Sequence, residues 1–259
     1  MEWYLILAVI GVGFVAGFIN TVAAGGSLLA LPMLIIPLGI PSVNANAINR
    51  IAILLQNIIG VGRFKKKGVL DLPVDYRIGV PAVIGSFIGA IIASIISAPA
   101  MDAAIGIIML VMFLLIIFDS NRWVKDRKDQ PPLKKWLQYL VFFLIGVYGG
   151  FIQAGVGFFL LSGLVLGCGF ELVKANGIKV LIILMYTPIA LGIFIYQGLL
   201  TWEYTIYGLL LAIGNMAGAY LGVNIAVKWG AKFLRYMLLV AILIAALKLL
   251  IPQIKELLT

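Results

Sequence analysis

The sequence predicts an all-α polytopic membrane protein, and two observations support this fold class. Of the 259 residues, 63% are hydrophobic and 11% are charged, whereas a soluble domain has roughly 45–50% apolar and about 25% charged residues. Two runs, 3–49 and 136–170, contain no charged residue. Each run exceeds the ~20 residues with which a helix crosses a bilayer. Lipid is therefore the expected solvent for much of this chain.

Ten apolar segments divide the chain, and the hydrophilic stretches between them set their limits. They are 3–23, 26–40, 44–63, 76–98, 101–119, 135–153, 157–170, 173–197, 204–228 and 231–251. Segments 26–40 and 157–170 are short and contain or border Pro and Gly, which is typical of re-entrant segments. The prediction is about eight full transmembrane helices plus two short broken or re-entrant segments, with ten short spans as the alternative.

Basic residues predict the orientation, because cytoplasmic loops carry an excess of Lys and Arg. Loops 63–77, 122–135 and 228–235 are basic and are predicted to be cytoplasmic, whereas the loops near 98–100 and 198–203 contain no Lys or Arg. The net charge of +9 lies in these short clusters between apolar runs, so no nucleic-acid partner is expected. The predicted location is the cytoplasmic membrane, with multiple passes.

The two halves of the chain resemble each other, which predicts a duplicated fold. Residues 17–20 (GFIN) resemble 150–153 (GFIQ), and a glycine cluster follows each. A shift of 130 residues aligns Gly39 with Gly169, Val43 with Val173, Ala45 with Ala175, Asn46 with Asn176, Phe64 with Phe194 and Gly68 with Gly198. The predicted organisation is an N-terminal transmembrane repeat at 1–120, a cytoplasmic linker at 121–134 and a C-terminal transmembrane repeat at 135–259.

The charges of aligned loops indicate that the two halves are inverted. Residues 63–67 are basic, whereas their counterparts 193–197 are uncharged, so the two stretches lie on opposite faces in the predicted topology. Inverted repeats related by an axis in the membrane plane are a common transporter plan, with the substrate site near the midplane.

Glycine clusters at matching places of the two halves predict an anion site. The residues concerned are Asn20, Gly25, Gly26 and Ser27 in the first half and Gln153, Gly155 and Gly157 in the second. Each cluster is expected to begin a short helix, whose first N–H groups lack partners and carry positive dipole charge. Glycine lets an anion approach these groups closely. The alternative is that these glycines only permit close helix packing.

One cation lies within an apolar segment of each half, Arg50 in the first and Lys179 in the second. An intramembrane cation costs at least ~2.5–3.5 kcal/mol on insertion scales, which makes it a functional hypothesis. Snorkelling toward a nearby segment end is the alternative. Asn46, Asn49 and Asn176 lie beside these cations and add amide groups to the predicted substrate site.

The remaining ionisable residues argue against several other functions. All ten acids lie at segment ends or in loops, which disfavours a cation carrier. The chain has no His and a single Cys, Cys168, so the usual zinc, copper and haem sites are not expected and no cofactor or metal is predicted. The same residues disfavour a membrane-embedded enzyme, and the absence of a Walker A sequence disfavours ATP hydrolysis.

At these residues the chain resembles the sulfite exporter TauE/SafE family of membrane permeases. The resemblance rests on residues 17–32 (GFINTVAAGGSLLALP), the Asn-rich stretch that ends at Arg50, the basic stretch 63–69 and the second copy at 149–157. Arg50 stands where the family usually has Lys. The resemblance implies a permease for sulfur-containing anions such as sulfite or organosulfonates.

The predicted function is a secondary transporter that moves a small anion by alternating access of two inverted halves. A passive anion channel of the same architecture is the alternative, since the sequence does not distinguish coupled from passive flow. A membrane-embedded enzyme fits less well because the chain has no His, one Cys and only peripheral acids. A scaffolding subunit fits less well because it does not explain a cation within the apolar segments of each half. The expected partners are the small anion and membrane lipid.

Overall fold

The computed structural model describes residues 3–23, 25–119 and 132–225, and these ranges are entirely helical apart from turns and short connections. They contain α1 (Trp3–Ala23), α2 (Ser27–Ile35), α3 (Ser42–Lys66), α4 (Leu72–Ile95), α5 (Ala98–Asp119), α6 (Lys135–Phe151), α7 (Val156–Ser162), α8 (Leu172–Tyr196) and α9 (Trp202–Ile225). A π-helical turn, Gly163–Gly167, prolongs α7. The all-α prediction is confirmed. The predicted segment 231–251, the loop 228–235 and most of the linker lie outside the described residues.

Five of the described helices are long and apolar enough to cross a membrane: α1, α4, α5, α8 and α9. Helix α3 has 25 residues but is more polar, because it contains several Asn and Gln residues, Arg50 and a basic last turn. Helix α6 has 17 residues. The five helices indicate a multi-pass membrane protein, and the count of eight full spans stays a prediction.

The two segments predicted to be short form short helices. Helix α2 has nine residues, a length of about 14 Å at 1.5 Å per residue, against ~30 Å for the hydrocarbon core. The connections that follow α2 and the π-helical turn contain Gly39 and Gly169, with φ of 63° and 76°. Left-handed backbone of this kind favours glycine. Gly68 and Gly198, after α3 and α8, match in the same way, with φ of 70° and 69°.

The basic stretch predicted as a loop at 63–77 is mostly helical. Helix α3 extends to Lys66 and α4 begins at Leu72, so the connection comprises residues 67–71. Arg63, Lys65 and Lys66 occupy the last turn of α3. Cations at this position interact favourably with the negative end of the helix dipole, which explains why the helix continues through them.

Helices α3 and α8 form an antiparallel pair at the centre of the bundle. Near the start of α3, Asn44 Nδ2 donates to the carbonyl oxygen of Leu199, just beyond the end of α8, at 2.8 Å. Farther along, Gly60 of α3 lies against the side chain of Val180 near the start of α8. The connections after α3 and after α8 therefore lie at opposite ends of the pair.

Two outer helix pairs flank this centre: α1 packs along α9, and α4 packs along α6. Both crossings depend on glycine. A Cβ atom at Gly17 of α1 would lie 2.6 Å from the Cα of Asn215 in α9, and one at Gly150 of α6 would lie 2.6 Å from the Cα of Ser86 in α4. Small residues allow such close backbone approach in membranes. The first helix of one half of the chain thus packs on the fourth helix of the other half, in both directions.

Candidate functional site

The most polar part of the bundle lies where α3 and α8 meet the ends of α1 and α6. Arg50 and Lys179, on α3 and α8, are 0% and 1% exposed. The last four carbonyl groups of a helix have no partner within it, and they form the negative end of its dipole. Buried donors on α3 and α8 reach these carbonyl groups.

The Arg50 cluster, which comprises Asn46, Arg50 and Gln153, lies at the end of α6. Arg50 Nη1 donates to the carbonyl oxygen of Gly149 at 2.6 Å, and Nη2 donates to that of Gly150 at 2.8 Å. Nη1 also donates to Oε1 of Gln153 at 2.6 Å. Asn46 Nδ2 donates to the carbonyl oxygen of Phe151 at 2.7 Å. Two side chains of α3 therefore satisfy three successive carbonyl groups at the end of α6.

The Lys179 cluster, which comprises Asn176, Lys179 and Asn20, lies at the end of α1 and has corresponding hydrogen bonds. Lys179 Nζ donates to the carbonyl oxygen of Asn20 at 2.9 Å. Asn176 Nδ2 donates to the carbonyl oxygen of Thr21 at 2.8 Å. The shift of 130 residues relates Asn176 to Asn46, and it relates the acceptor Thr21 to the acceptor Phe151. The snorkelling alternative does not describe either cation, since both are buried and bonded to helix ends.

The side chains of Asn20 and Gln153 also join these clusters to the middle of α3 and α8. Asn20 Nδ2 donates to Oε1 of Gln56 at 3.3 Å, and Tyr186 Oη donates to Oε1 of Gln153 at 3.1 Å. Asn215 of α9 is a further member, because its Nδ2 donates to the same oxygen of Gln56 at 3.2 Å. Asn215 is not among the predicted site residues. The sequence feature that distinguishes it is its position as a polar residue next to Gly214, in an apolar helix with repeated glycines.

The glycine clusters form the turns that precede α2 and α7, and part of their N–H capacity is used within the chain. The N–H of Gly26 donates to Oδ1 of Asn20 at 3.1 Å. A Cβ atom at Gly26 would lie 2.7 Å from the carbonyl carbon of Ala16. Gly26 therefore permits close helix packing, which was the alternative interpretation of the glycine clusters. Gly155 has φ of 75° beside Met112. Gly25 and Gly157 are buried.

The predicted site residues meet as two clusters. Gly60 lies against Val180, the neighbour of Lys179, and ten residues separate Gly60 from Arg50 along α3. At 1.5 Å per residue, the backbone positions of Arg50 and Lys179 are about 15 Å apart along the axis of the antiparallel pair.

Several buried polar atoms of the predicted site have no hydrogen-bond partner among the described residues. They are Oγ of Ser27, Oδ1 of Asn46, both Nδ2 and Oδ1 of Asn49, Nε of Arg50 and Oδ1 of Asn176. Buried polar atoms are nearly always paired in folded proteins. Asn49 differs from the others because its whole amide group is unpartnered. These atoms have unused capacity for a ligand.

The hydrogen bonds that Arg50 and Lys179 donate in the described part of the chain reach no acidic side chain. The acceptors that the structure assigns to the nitrogen atoms of Arg50 and Lys179 there are oxygens of neutral carbonyl and amide groups. Asp102 is the fifth residue of α5, and Glu203 lies in the first turn of α9. No group of three His, Cys, Asp or Glu residues in the described ranges is placed to hold a metal ion.

Comparison with known proteins assigns the chain to a family. The sequence profile described as "Sulfite exporter TauE/SafE" matches residues 9–249. The chain belongs to the sulfite exporter TauE/SafE family. This is a family of membrane transporters rather than of enzymes, and the assignment agrees with the resemblance found in residues 17–32 and 149–157.

Relatives of this TauE/SafE protein are similar over almost their whole length. "Probable membrane transporter protein ORF9" of Sinorhizobium sp is 26% identical over 96% of this chain and 94% of its own. "Probable membrane transporter protein YfcA" of Escherichia coli is 27% identical, over 92% and 87%. "Probable membrane transporter protein YdhB" of Bacillus subtilis is 26% identical, over 84% and 87%. No solved structure matches the TauE/SafE chain.

Proposed function

We propose that the protein is a secondary transporter that moves a small anion, such as sulfite or an organosulfonate, across the cytoplasmic membrane. The observation that carries the proposal is one fully buried cation in each cluster, bonded to neutral oxygens. A buried cation without a counter-charge is costly in hydrocarbon, and a bound anion offsets that cost. The family description supports a sulfur oxyanion as the substrate.

The transporter is proposed to consist of two inverted halves, 1–120 and 135–259, joined by a linker at 121–134. Three observations support this: the exchanged packing of α1 with α9 and of α4 with α6, the matched left-handed glycines, and the antiparallel central pair. The corresponding bonds of Asn46 and Asn176 support it further. Inverted halves of this kind work by rocking against each other around a fixed site, which gives alternating access.

The orientation proposed for the bundle follows from its basic ends. The basic stretches 63–77, 122–135 and 228–235 are proposed to face the cytoplasm. Arg63 and Lys67 support a common basic end of α3 and α9, because they donate to Oδ1 of Asn224 and to the carbonyl oxygen of Val223 at 2.8 and 3.1 Å. The connection after α8 lies at the opposite end of the central pair and is proposed to face outward.

The residues of the two clusters are proposed to divide into two roles. Ser27, Asn49 and Arg50 retain unpartnered buried atoms that can donate a hydrogen bond and are proposed as direct contacts of the anion. The remaining predicted residues are proposed to position the site: Asn20, Gly25, Gly26, Asn46, Gln153, Gly155, Gly157, Asn176 and Lys179. Nη1 and Nη2 of Arg50 already donate to acceptors at the end of α6, so Nε is the donor that Arg50 is proposed to present to the anion.

Ligand-induced thermal stabilisation of the purified protein tests the binding claim. Sulfite, sulfate, thiosulfate, taurine, sulfoacetate and simple carboxylates are compared with chloride and with cations. A ligand of the native state stabilises it by about 2.7 kcal/mol at 100 times its Kd, so a selective increase in Tm with a sulfur oxyanion is expected. Increases in Tm with cations alone contradict an anion site.

Counterflow in proteoliposomes separates the transporter from the channel. Vesicles loaded with unlabelled anion are diluted into a trace of the same labelled anion. A transporter accumulates the label transiently and saturates with concentration, whereas a channel lets the label equilibrate without accumulation. Equilibration without overshoot, at a rate that does not saturate, would replace the transporter by a passive anion channel.

A further inference from the structure

The cations of the two clusters do not occupy equivalent positions in the two halves, and their positions differ by one residue. The shift of 130 residues relates Lys179 to Asn49, not to Arg50. The same shift relates Asn20 to Gly150, and these two residues supply the carbonyl oxygens that Lys179 and Arg50 bind. In the second half the residue at this position, Lys179, itself donates to the end of α1. In the first half the following residue, Arg50, donates to the end of α6.

Because Arg50 and not Asn49 bonds to the end of α6, the side chain of Asn49 makes no hydrogen bond among the described residues. Asn49 is 0% exposed, and neither Nδ2 nor Oδ1 has a partner among the described residues. Asn57, on the same helix and 1% exposed, is different, because its Nδ2 donates to the carbonyl oxygen of Ile53 at 2.7 Å. A fully buried and unpaired amide is rare in proteins, which indicates that its partner is a ligand.

Further unpartnered atoms lie on the same face of α3. Residues 46, 49 and 50 lie within one turn of each other, and positions three and four apart share a helix face. Nε of Arg50 is an unpartnered donor, and Oδ1 of Asn46 is an unpartnered acceptor. The set therefore offers donors for a negatively charged oxygen, and it also offers acceptors, which an anion made only of acceptor oxygens leaves unused.

We propose that Asn49 recognises a hydrogen-bond donor on the anion, so that the preferred substrates are small hydroxylated anions. The amide NH2 of Asn49 and Nε of Arg50 bind the anionic group, and Oδ1 of Asn49 accepts from the hydroxyl. A hydroxyl fits better than an ammonium group, because an ammonium beside Arg50 meets like charge with no carboxylate among the bonded groups of the cluster. This inference rests on the proposed anion transport.

Two matched pairs of ligands test the proposal on the purified full-length protein. The pairs are isethionate with ethanesulfonate and glycolate with acetate, in which the first member adds one hydroxyl. A site with a buried acceptor for a hydroxyl discriminates strongly against the analogue that lacks it. Calorimetric titration of the wild type is expected to show at least ~10-fold tighter binding of the hydroxylated member of a pair. Taurine, with an ammonium in place of the hydroxyl, is expected to bind more weakly than isethionate.

Asn49→Leu removes the amide, and Asn57→Leu is the matched control on the same helix. Asn49→Leu is expected to reduce the hydroxyl preference to less than ~3-fold, whereas Asn57→Leu retains it. Equal affinities within both pairs in the wild type, or a preference that survives Asn49→Leu, overturn the inference while anion binding itself stands. Failure of every anion to bind the wild type overturns the proposed function and the inference together.

Discussion

Lys179 and Asn20 lie far apart in the sequence, yet Nζ of the lysine donates to the carbonyl oxygen of the asparagine at 2.9 Å. This carbonyl belongs to the last turns of α1, whereas Lys179 belongs to α8. The buried charge of the lysine therefore stabilises the negative end of a helix from another part of the chain.

Replacing Lys179 by Met removes this charged donor and leaves its acceptor buried. Lys179→Met is expected to lower the free energy of unfolding by about 1.5–3 kcal/mol, the usual contribution of a hydrogen bond to a charged group. The measurement is reversible unfolding in detergent, followed by tryptophan fluorescence. Lys65→Met is the control, because Lys65 is exposed in the last turn of α3, and a change within ~0.5 kcal/mol is expected there. Equal losses in the two variants would contradict the capping role of Lys179.

Arg50 is expected to respond differently to loss of charge and to loss of shape. Arg50→Gln removes the positive charge and its bonds to α6, so anion-induced stabilisation is expected to disappear and the basal Tm to fall. Arg50→Lys retains the charge but loses the planar fork, and roughly 10-fold weaker anion binding is expected, equivalent to about 1.4 kcal/mol. Thermal shift against anion concentration measures both variants. Undiminished binding by folded Arg50→Gln would show that this cation does not contact the substrate.

The glycine crossing of α4 on α6 predicts a large effect of one methyl group. A Cβ atom at Gly85 would lie 2.8 Å from the backbone nitrogen of Val147, so Gly85→Ala forces the helices apart and is expected to cost about 1–3 kcal/mol. Gly192 of α8 has no neighbour within 4 Å of an added Cβ, and Gly192→Ala is expected to be neutral or stabilising by up to about 1 kcal/mol. Detergent unfolding compares the two. A neutral Gly85→Ala would indicate looser packing than the structure has.

Cysteine labelling tests whether the ends of α3 and α8 face opposite sides of the membrane. Lys66→Cys and Gln197→Cys place thiols at exposed positions, in a background with Cys168→Ser. An impermeant maleimide is expected to label Gln197→Cys in intact cells and to label Lys66→Cys only after permeabilisation, because basic loops are retained in the cytoplasm. Labelling of both from the same side would exclude the inverted arrangement.

The sequence identifies matching polar residues in the two halves, but it does not identify the groups to which they bond. Asn46 with Asn176, and Asn20 with Gln153, were recognised as matching pairs because each half repeats the same local pattern. Their partners were not predictable, since the bond from Asn46 to Phe151 joins residues 105 positions apart. The sequence predicts that the N–H of Gly26 binds an anion. In the structure this N–H instead donates to Oδ1 of Asn20, in the preceding helix.

Composition, local periodicity and short motifs are sufficient to predict the membrane class, the order of most helices and the family. The sequence also determined which residues break the helices, since left-handed backbone at Gly39 and Gly169 is a local preference of glycine. The tertiary contacts place Arg50 at the end of α6 and Lys179 at the end of α1, in two separate clusters. The tertiary structure also decided that Asn49 is the amide left unpaired. Both depend on how α1 and α6 end against α8 and α3, and contacts between distant segments are set by packing of the whole bundle.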